Sequence, residues 1–296
     1  MAPVGELAAL ATAFCWAGSA LAFEAAGRRI GSMAVNLLRM PVAIAALAAV
    51  GLWTRGLALP TDAPADAWLW LSVSGLIGFV LGDLCLFRAL VVIGPRLSSL
   101  IMSLAPVFTA LFGWLALGET LAWAQWLGMT MVIGGIGWAI ADQVPQGNRP
   151  PPSARGVLLA LGGALGQAGG LVAAKVGMHD YSDPFAATQV RIIAAVVGFV
   201  VIFTVVGWWR KVRAALGEGK ALVQVSAGAL FGPFIGVALS LLAVQRTETG
   251  VAAAIMATTP IVLIPIVVVF YREKVGLGGV LGAVVAVSGV ALLFAS

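Results

Sequence analysis

Long apolar runs separated by short polar breaks occupy almost the whole chain, and most of its charges sit in the breaks. Each run is long enough, at about 20 residues, to cross roughly 30 Å of hydrocarbon as a helix. The runs fall at 5–25, 32–53, 66–88, 95–116, 120–141, 156–177, 184–209, 221–245, 249–271 and 276–295. None consists of the alternating segments of about ten residues that a transmembrane β-barrel requires. The pattern therefore predicts an all-α integral membrane protein with ten transmembrane helices.

One polar break is longer than the rest. Residues 142–155 read DQVPQGNRPPPSAR, and three successive prolines cannot continue a helix. This linker separates a first five-helix unit, 1–141, from a second, 156–296. The two units repeat each other. A displacement of 154 lays Ile101, Met102, Pro106, Glu119, Gly128 and Gly135 on Ile255, Met256, Pro260, Glu273, Gly282 and Gly289. It also lays Gly78 on Gly232 and Gly82 on Gly236, while a displacement of 152 lays Arg39 on Arg191. With a displacement of 151, Ala17 meets Ala168 and Gly18 meets Gly169, so the first run has a partner. No Lys or Arg precedes it, and a retained span rather than a signal peptide is expected. Because five is odd, the second unit enters the membrane from the opposite side, as an inverted-topology repeat.

Composition agrees: 61% of residues are hydrophobic and 10% charged, against roughly 25% charged in soluble domains. The breaks after odd-numbered runs hold Arg28, Arg29, Arg88, Arg96, Arg149, Arg155, Arg210, Lys211, Arg213, Lys220, Arg272 and Lys274. The other side holds Arg55, Lys175 and Arg246. The positive-inside rule then puts both termini on the outer side of a bacterial inner membrane. Scattered singly or in pairs, these cations form no nucleic-acid patch.

The chain lacks the parts of an enzyme. Its one histidine, His179, lies in a polar break; Cys15 and Cys85 lie inside apolar runs and form no CxxC pair; no HExxH or P-loop occurs. No cofactor and no metal are expected.

Several residues inside the runs are candidates for a solute pathway. Pro106 and Pro260 each remove a backbone hydrogen bond in mid-span, predicting a kink that is a structural bend, a hinge or a ligand contact. Ser99, Met102 and Ser103 accompany the first proline, and Met256, Thr258 and Thr259 the second. Asp83 is a charge within a span, either ion-paired or facing the pathway. Arg39 and Arg191 lie near span ends and are expected to snorkel outward. Glu24 and Lys175 also match across the repeat and are, with these three, candidate coupling groups or ion pairs. Glu119 and Glu273 read as caps of the following helices. Gly78, Gly82, Gly232 and Gly236 have the four-residue spacing of close helix packing and are candidate bending points. Trp53, Trp68, Trp70, Trp123, Trp126, Trp208 and Trp209 fit an interfacial belt, whereas Trp16 lies in mid-span and matches Gln167. Together those two offer a stacking surface and a hydrogen-bonding group.

Two halves, each ending in a proline-bearing helix, a turn containing Gly118-Glu119 or Arg272-Glu273 and a glycine-rich last helix, resemble the EamA family of the drug/metabolite transporter superfamily. Within it the pattern is nearest to the aromatic amino-acid exporters. The expected function is a secondary transporter that exports small metabolites by alternating access, foremost aromatic or apolar amino acids, which a mostly apolar cavity with Trp16, Met102 and Met256 would suit; a monomer is expected. The resemblance implies a central cavity lined by spans one, three, four, six, eight and nine, with five and ten peripheral. The small four-span relatives carry a proton-binding glutamate where Trp16 and Gln167 stand here. A lipophilic drug or cation exporter, and a channel or scaffold, are the alternative readings.

Overall fold

The computed structural model describes residues 4–117, 122–142, 153–246, 255–270, 272 and 275–294, and every regular element among them is helical. The first half comprises α1 (Val4–Ile30), α2 (Ser32–Arg55), α3 (Ala65–Gly75), a π-helical stretch π1 (Leu76–Gly82), α4 (Asp83–Ile93), α5 (Pro95–Met102), α6 (Ala105–Leu117) and α7 (Trp123–Ala141). The second comprises α8 (Ala154–Gly177), α9 (Pro184–Val206), a short α10 (Trp209–Ala215), α11 (Gly219–Ala229), π2 (Leu230–Gly236), α12 (Val237–Arg246), α13 (Thr259–Phe270) and α14 (Leu277–Phe294). Eight spans are long and apolar enough to cross a membrane, and residues 259–270 and 277–292 form two shorter apolar helices. Of the ten expected spans, eight are thus seen among the described residues, and the stretches expected to be the ninth and tenth hold only these shorter helices there.

Local chemistry moves several boundaries. The third run continues to Ile93 rather than ending at Arg88, so Arg88 is an exposed residue on a helix and Gly94 alone makes the connection. Gly94 has φ 82, a conformation that favours glycine, and Pro95 opens the next helix. Arg96 in that first turn is buried at 7% exposure. The seventh run stops at Val206, because Gly207 takes a left-handed conformation with φ 74. Asp183 starts that helix: its Oδ1 accepts the Phe185 and Ala186 amides at 2.9 and 3.2 Å, with Pro184 in the first turn. Glu119 and Glu273, expected to cap the following helices, and most of the linker lie outside the described residues.

The repeat seen in the sequence reappears as backbone geometry. π1 and π2 are each seven residues long and start 154 positions apart. Both proline-bearing runs break at the same place: a turn at Ser103-Leu104 separates α5 from α6, and a turn at Ala257-Thr258 precedes α13. Pro106 and Pro260 therefore sit in the first turn of a new helix, a position that favours proline, instead of at a kink in a continuous one.

Glycines set the packing between halves. A Cβ on Gly135 would lie 2.6 Å from the Gly282 carbonyl, and one on Gly289 would lie 2.7 Å from the Gly128 carbonyl. Early residues of α7 thus meet late residues of α14 and the reverse, so these two corresponding helices run antiparallel. The same exchange relates the inner helices. Gly78 packs on Gly170 and Gly82 on Gly166, while Gly232 packs on Ser19 and Gly236 on Trp16. Helix α1 therefore fits α11–π2–α12 as α8 fits α3–π1–α4.

Candidate functional site

The inner helices enclose a cavity of about 220 Å³ between the two halves. Its wall draws on α1, π1–α4, α5–α6, α8, π2–α12 and the Met256–Pro260 break, the six spans expected to line it. Helix α2 adds Arg39, while α7 and α14 contribute none of the described lining. Trp16 and Gln167, equivalent in the repeat, both face this space. Gly236 makes room for the indole, since a Cβ there would fall 3.0 Å from Trp16 Cδ1.

The two breaks supply Ser99, Met102, Ser103 and Pro106 from one side, and Met256, Thr259 and Pro260 from the other. A proline leaves the carbonyl four residues earlier without its usual donor. In the second half that carbonyl belongs to Met256, and the Thr259 hydroxyl donates to it at 2.8 Å. Ala105 holds the equivalent place in the first half and has no hydroxyl to offer Met102. Thr258 is absent from the cavity lining; its hydroxyl donates to the Ile255 carbonyl at 2.7 Å.

Charge enters the wall through Asp83 and Arg39. Arg39 Nη2 donates to Asp83 Oδ2, and Asn36 donates to the Asp83 backbone carbonyl at 3.3 Å. The Arg39 guanidinium carbon stands 4.4 Å from the Phe87 ring centre, 5.6 Å from Phe23 and 5.8 Å from Phe79. Arg191 lies 4.7 Å from the Phe79 ring centre and does not line the cavity. Both arginines are buried, at 3% and 4% exposure, so neither snorkels. Aromatic faces and a carboxylate hold the guanidinium groups inside, where a longer reach to the surface would otherwise win.

The remaining sequence candidates lie elsewhere. Glu24 is buried and paired with Arg28 one turn later. Lys175 is exposed near the end of α8. Gly78 and Gly82 sit in π1 against α8, outside the cavity lining, whereas Gly232 in π2 lines it. Sequence reasoning missed Phe23, Phe79 and Phe87, which surround Arg39, and Pro233, which lies within π2 and lines the cavity. Single phenylalanines in apolar runs give no signal; the matched Gly-x-x-x-Gly pairs, read as packing and bending points, lie within the π segments.

A polar network, also unforeseen, ties three connections at one end of the bundle. Arg55 pairs with Asp62 at 2.8 Å and with Asp183 at 2.9 Å, and Tyr181 donates to Asp62 at 3.0 Å. Gln189 reaches the Ala58 carbonyl at 2.8 Å, and Gln245 the Ser182 carbonyl at 2.6 Å. Burial and the bond to Asp62 push the Tyr181 hydroxyl up to about 12. Desolvation raises the Asp62 carboxyl, but bonds from its own amide, Tyr181 and Arg55 outweigh it and hold the group below its ordinary value.

Residues 3–141 and 154–295 each match the EamA-like transporter family. The chain belongs to that family. This EamA-like protein is also similar to a Sinorhizobium sp protein described as an uncharacterized transporter in the cobO 3′ region. The identity is 33% over 107 residues, 36% of this chain and 75% of that protein. A solved crystal structure shares the fold, with a TM-score of 0.66, 19% identity, and coverage of 97% of this chain and 95% of the other. The EamA-like chain is thus a multi-pass membrane protein of a small-molecule transporter family, and the family indicates transport rather than catalysis.

Proposed function

We propose that the chain is a secondary transporter that exports small metabolites, foremost amino acids with aromatic or apolar side chains, by alternating access through the central cavity. The observation that carries this reading is the cavity wall: aromatic and aliphatic surface interrupted by one acid–base pair, Asp83 and Arg39, by the Gln167 amide and by scattered hydroxyls such as those of Ser99, Ser103 and Thr259. Such a site suits a solute with an apolar body and a small polar head. The units 1–141 and 156–296, joined by 142–155, are the two arms that move against each other. Reciprocal glycine contacts between α7 and α14 support an inverted arrangement of these arms. The basic residues support a bacterial inner-membrane orientation with both termini outside, and the chain acts as a monomer. An exporter of lipophilic cations would call for an unpaired carboxylate in the cavity, and Asp83 is held by Arg39. Counterflow of labelled phenylalanine, tryptophan and leucine in proteoliposomes tests the proposal; absence of all three fluxes from protein that moves another metabolite would refute the amino-acid assignment. A conductance that does not saturate would favour a channel instead.

A further inference from the structure

We infer that the cavity selects a solute bearing a carboxylate on an apolar body, that Arg39 receives the carboxylate, and that Arg191 supplies the positive surplus; this rests on the transport reading above. Among the described residues, the charged side chains in the wall are Arg39 and Asp83, which oppose each other. Arg191 lies behind the wall, 4.7 Å from the centre of the Phe79 ring, and interacts electrostatically with Asp83. Two guanidinium groups therefore share one carboxylate. The repeat explains the imbalance: Arg39 and Arg191 are equivalent, but Val237 occupies the place that a second aspartate would need. Since both arginines are at least nine-tenths buried, water does little to screen the surplus, and an anion entering the cavity would neutralise it. A cation would meet repulsion.

Donor geometry points the same way. Arg39 meets Asp83 through Nη2, and its Nε has no hydrogen-bond partner among the described residues; neither has the Nε of Arg191. The planar fork of a guanidinium matches the two oxygens of a carboxylate. Trp16, Phe23, Phe87 and Met102 leave the body of the solute an apolar surface.

Isosteric probes separate charge from shape. With purified full-length protein in detergent, calorimetric titration with 3-phenylpropanoate, 3-phenylpropanamide and 2-phenylethylamine should rank the carboxylate at least about tenfold tighter than the amide, and the amine weakest. Arg191→Gln should bring the carboxylate-to-amide ratio close to one, while Arg191→Lys should retain most of it. A wild-type ratio near one, tighter binding of the amine, no binding of the carboxylate, or an unchanged ratio in a folded Arg191→Gln protein would each overturn the inference. If Arg191→Gln does not fold, the wild-type ratio alone decides. A carboxylate preference without amino-acid flux would remove the amino-acid assignment and leave this inference standing; amino-acid flux with no carboxylate preference would do the reverse.

Discussion

Arg55, the last residue of α2, lies 2.9 Å from Asp183, the residue that caps α9, so an ion pair joins the two halves of the chain. Both oxygens of the Asp183 carboxylate are engaged, because the other one receives the two amides that begin α9. The helix cap orders the carboxylate in advance, and Arg55 then closes on it. Partly exposed pairs of this kind are worth about 0.2–1 kcal/mol each. A network of them can hold one end of the bundle shut and still release it.

Arg55→Gln should therefore loosen that end without unfolding the protein. In a background with Cys15 and Cys85 replaced by alanine, a cysteine placed at Ala58 should react with a maleimide several-fold faster once Arg55 is replaced. Equal rates would mean that the pair does not keep this end closed.

The same network should respond to alkali. Tyr181 ionises at about 12 in place of its ordinary 10.0. A raised value means that the contribution of the neutral hydroxyl is complete below pH 10 and disappears as pH rises toward 12. Asp62 is lowered, so its contribution is complete above the ordinary carboxylate range and is lost only in acid below it. Reactivity of the Ala58 cysteine, corrected for thiol ionisation, should be flat through neutral pH and climb above pH 10. Tyr181→Phe should abolish the climb, and an identical profile in that variant would rule out the assignment.

The parts of this architecture that were legible in the sequence are those with a period or a repeat. Helix length and the matched Pro106 and Pro260 follow from spacing, because membrane helices must satisfy their own backbone. The placement of Arg39 and Arg191 did not follow. Each looked near enough to a span end to reach the surface, and only the fold shows Asp83 and three phenylalanines gathered around them from other helices. The π segments were half visible: their bounding glycines matched across the halves, but glycine spacing alone does not separate a π turn from tight packing. Tyr181, Arg55 and Asp183 were unreadable as a unit, since two short loops over 100 positions apart bring them together.

Packing between α7 and α14 predicts a position-specific cost. A Cβ on Gly135 would meet Ala286 N and Gly282 O, both at 2.6 Å, whereas Cβ atoms on Gly134 and Gly137 would meet nothing within 4 Å. Gly135→Ala should destabilise by about 1–3 kcal/mol, the usual range for overpacking. Gly134→Ala and Gly137→Ala should leave the melting temperature in detergent unchanged. Equal effects at all three sites would show that this contact does not limit stability.

The hydroxyl beside Pro260 makes a second, smaller contribution. Thr259→Val keeps the shape but leaves the Met256 carbonyl without its donor, and hydroxyl bonds in membrane proteins average about 0.6 kcal/mol with a ceiling near 1.7. Thermal melts should show a loss in that range. Ala105→Thr places a hydroxyl beside the equivalent Met102 carbonyl and should raise the melting temperature slightly; a fall would mean that Met102 is already satisfied.

The charge cluster gives the largest effect and an order among variants. Breaking a buried pair costs about 3–5 kcal/mol because the survivor keeps an uncompensated charge. In Arg39→Gln the survivor is Asp83, which still has Arg191 nearby. In Asp83→Asn the survivors are two buried arginines with no carboxylate between them. Asp83→Asn should therefore lower the melting temperature more than Arg39→Gln. The double variant should recover part of the loss, because one guanidinium, instead of two, remains without a counter-ion. Melts of the three proteins in one detergent measure this directly. Additive losses, or a larger loss in Arg39→Gln, would show that Arg191 does not share the Asp83 carboxylate.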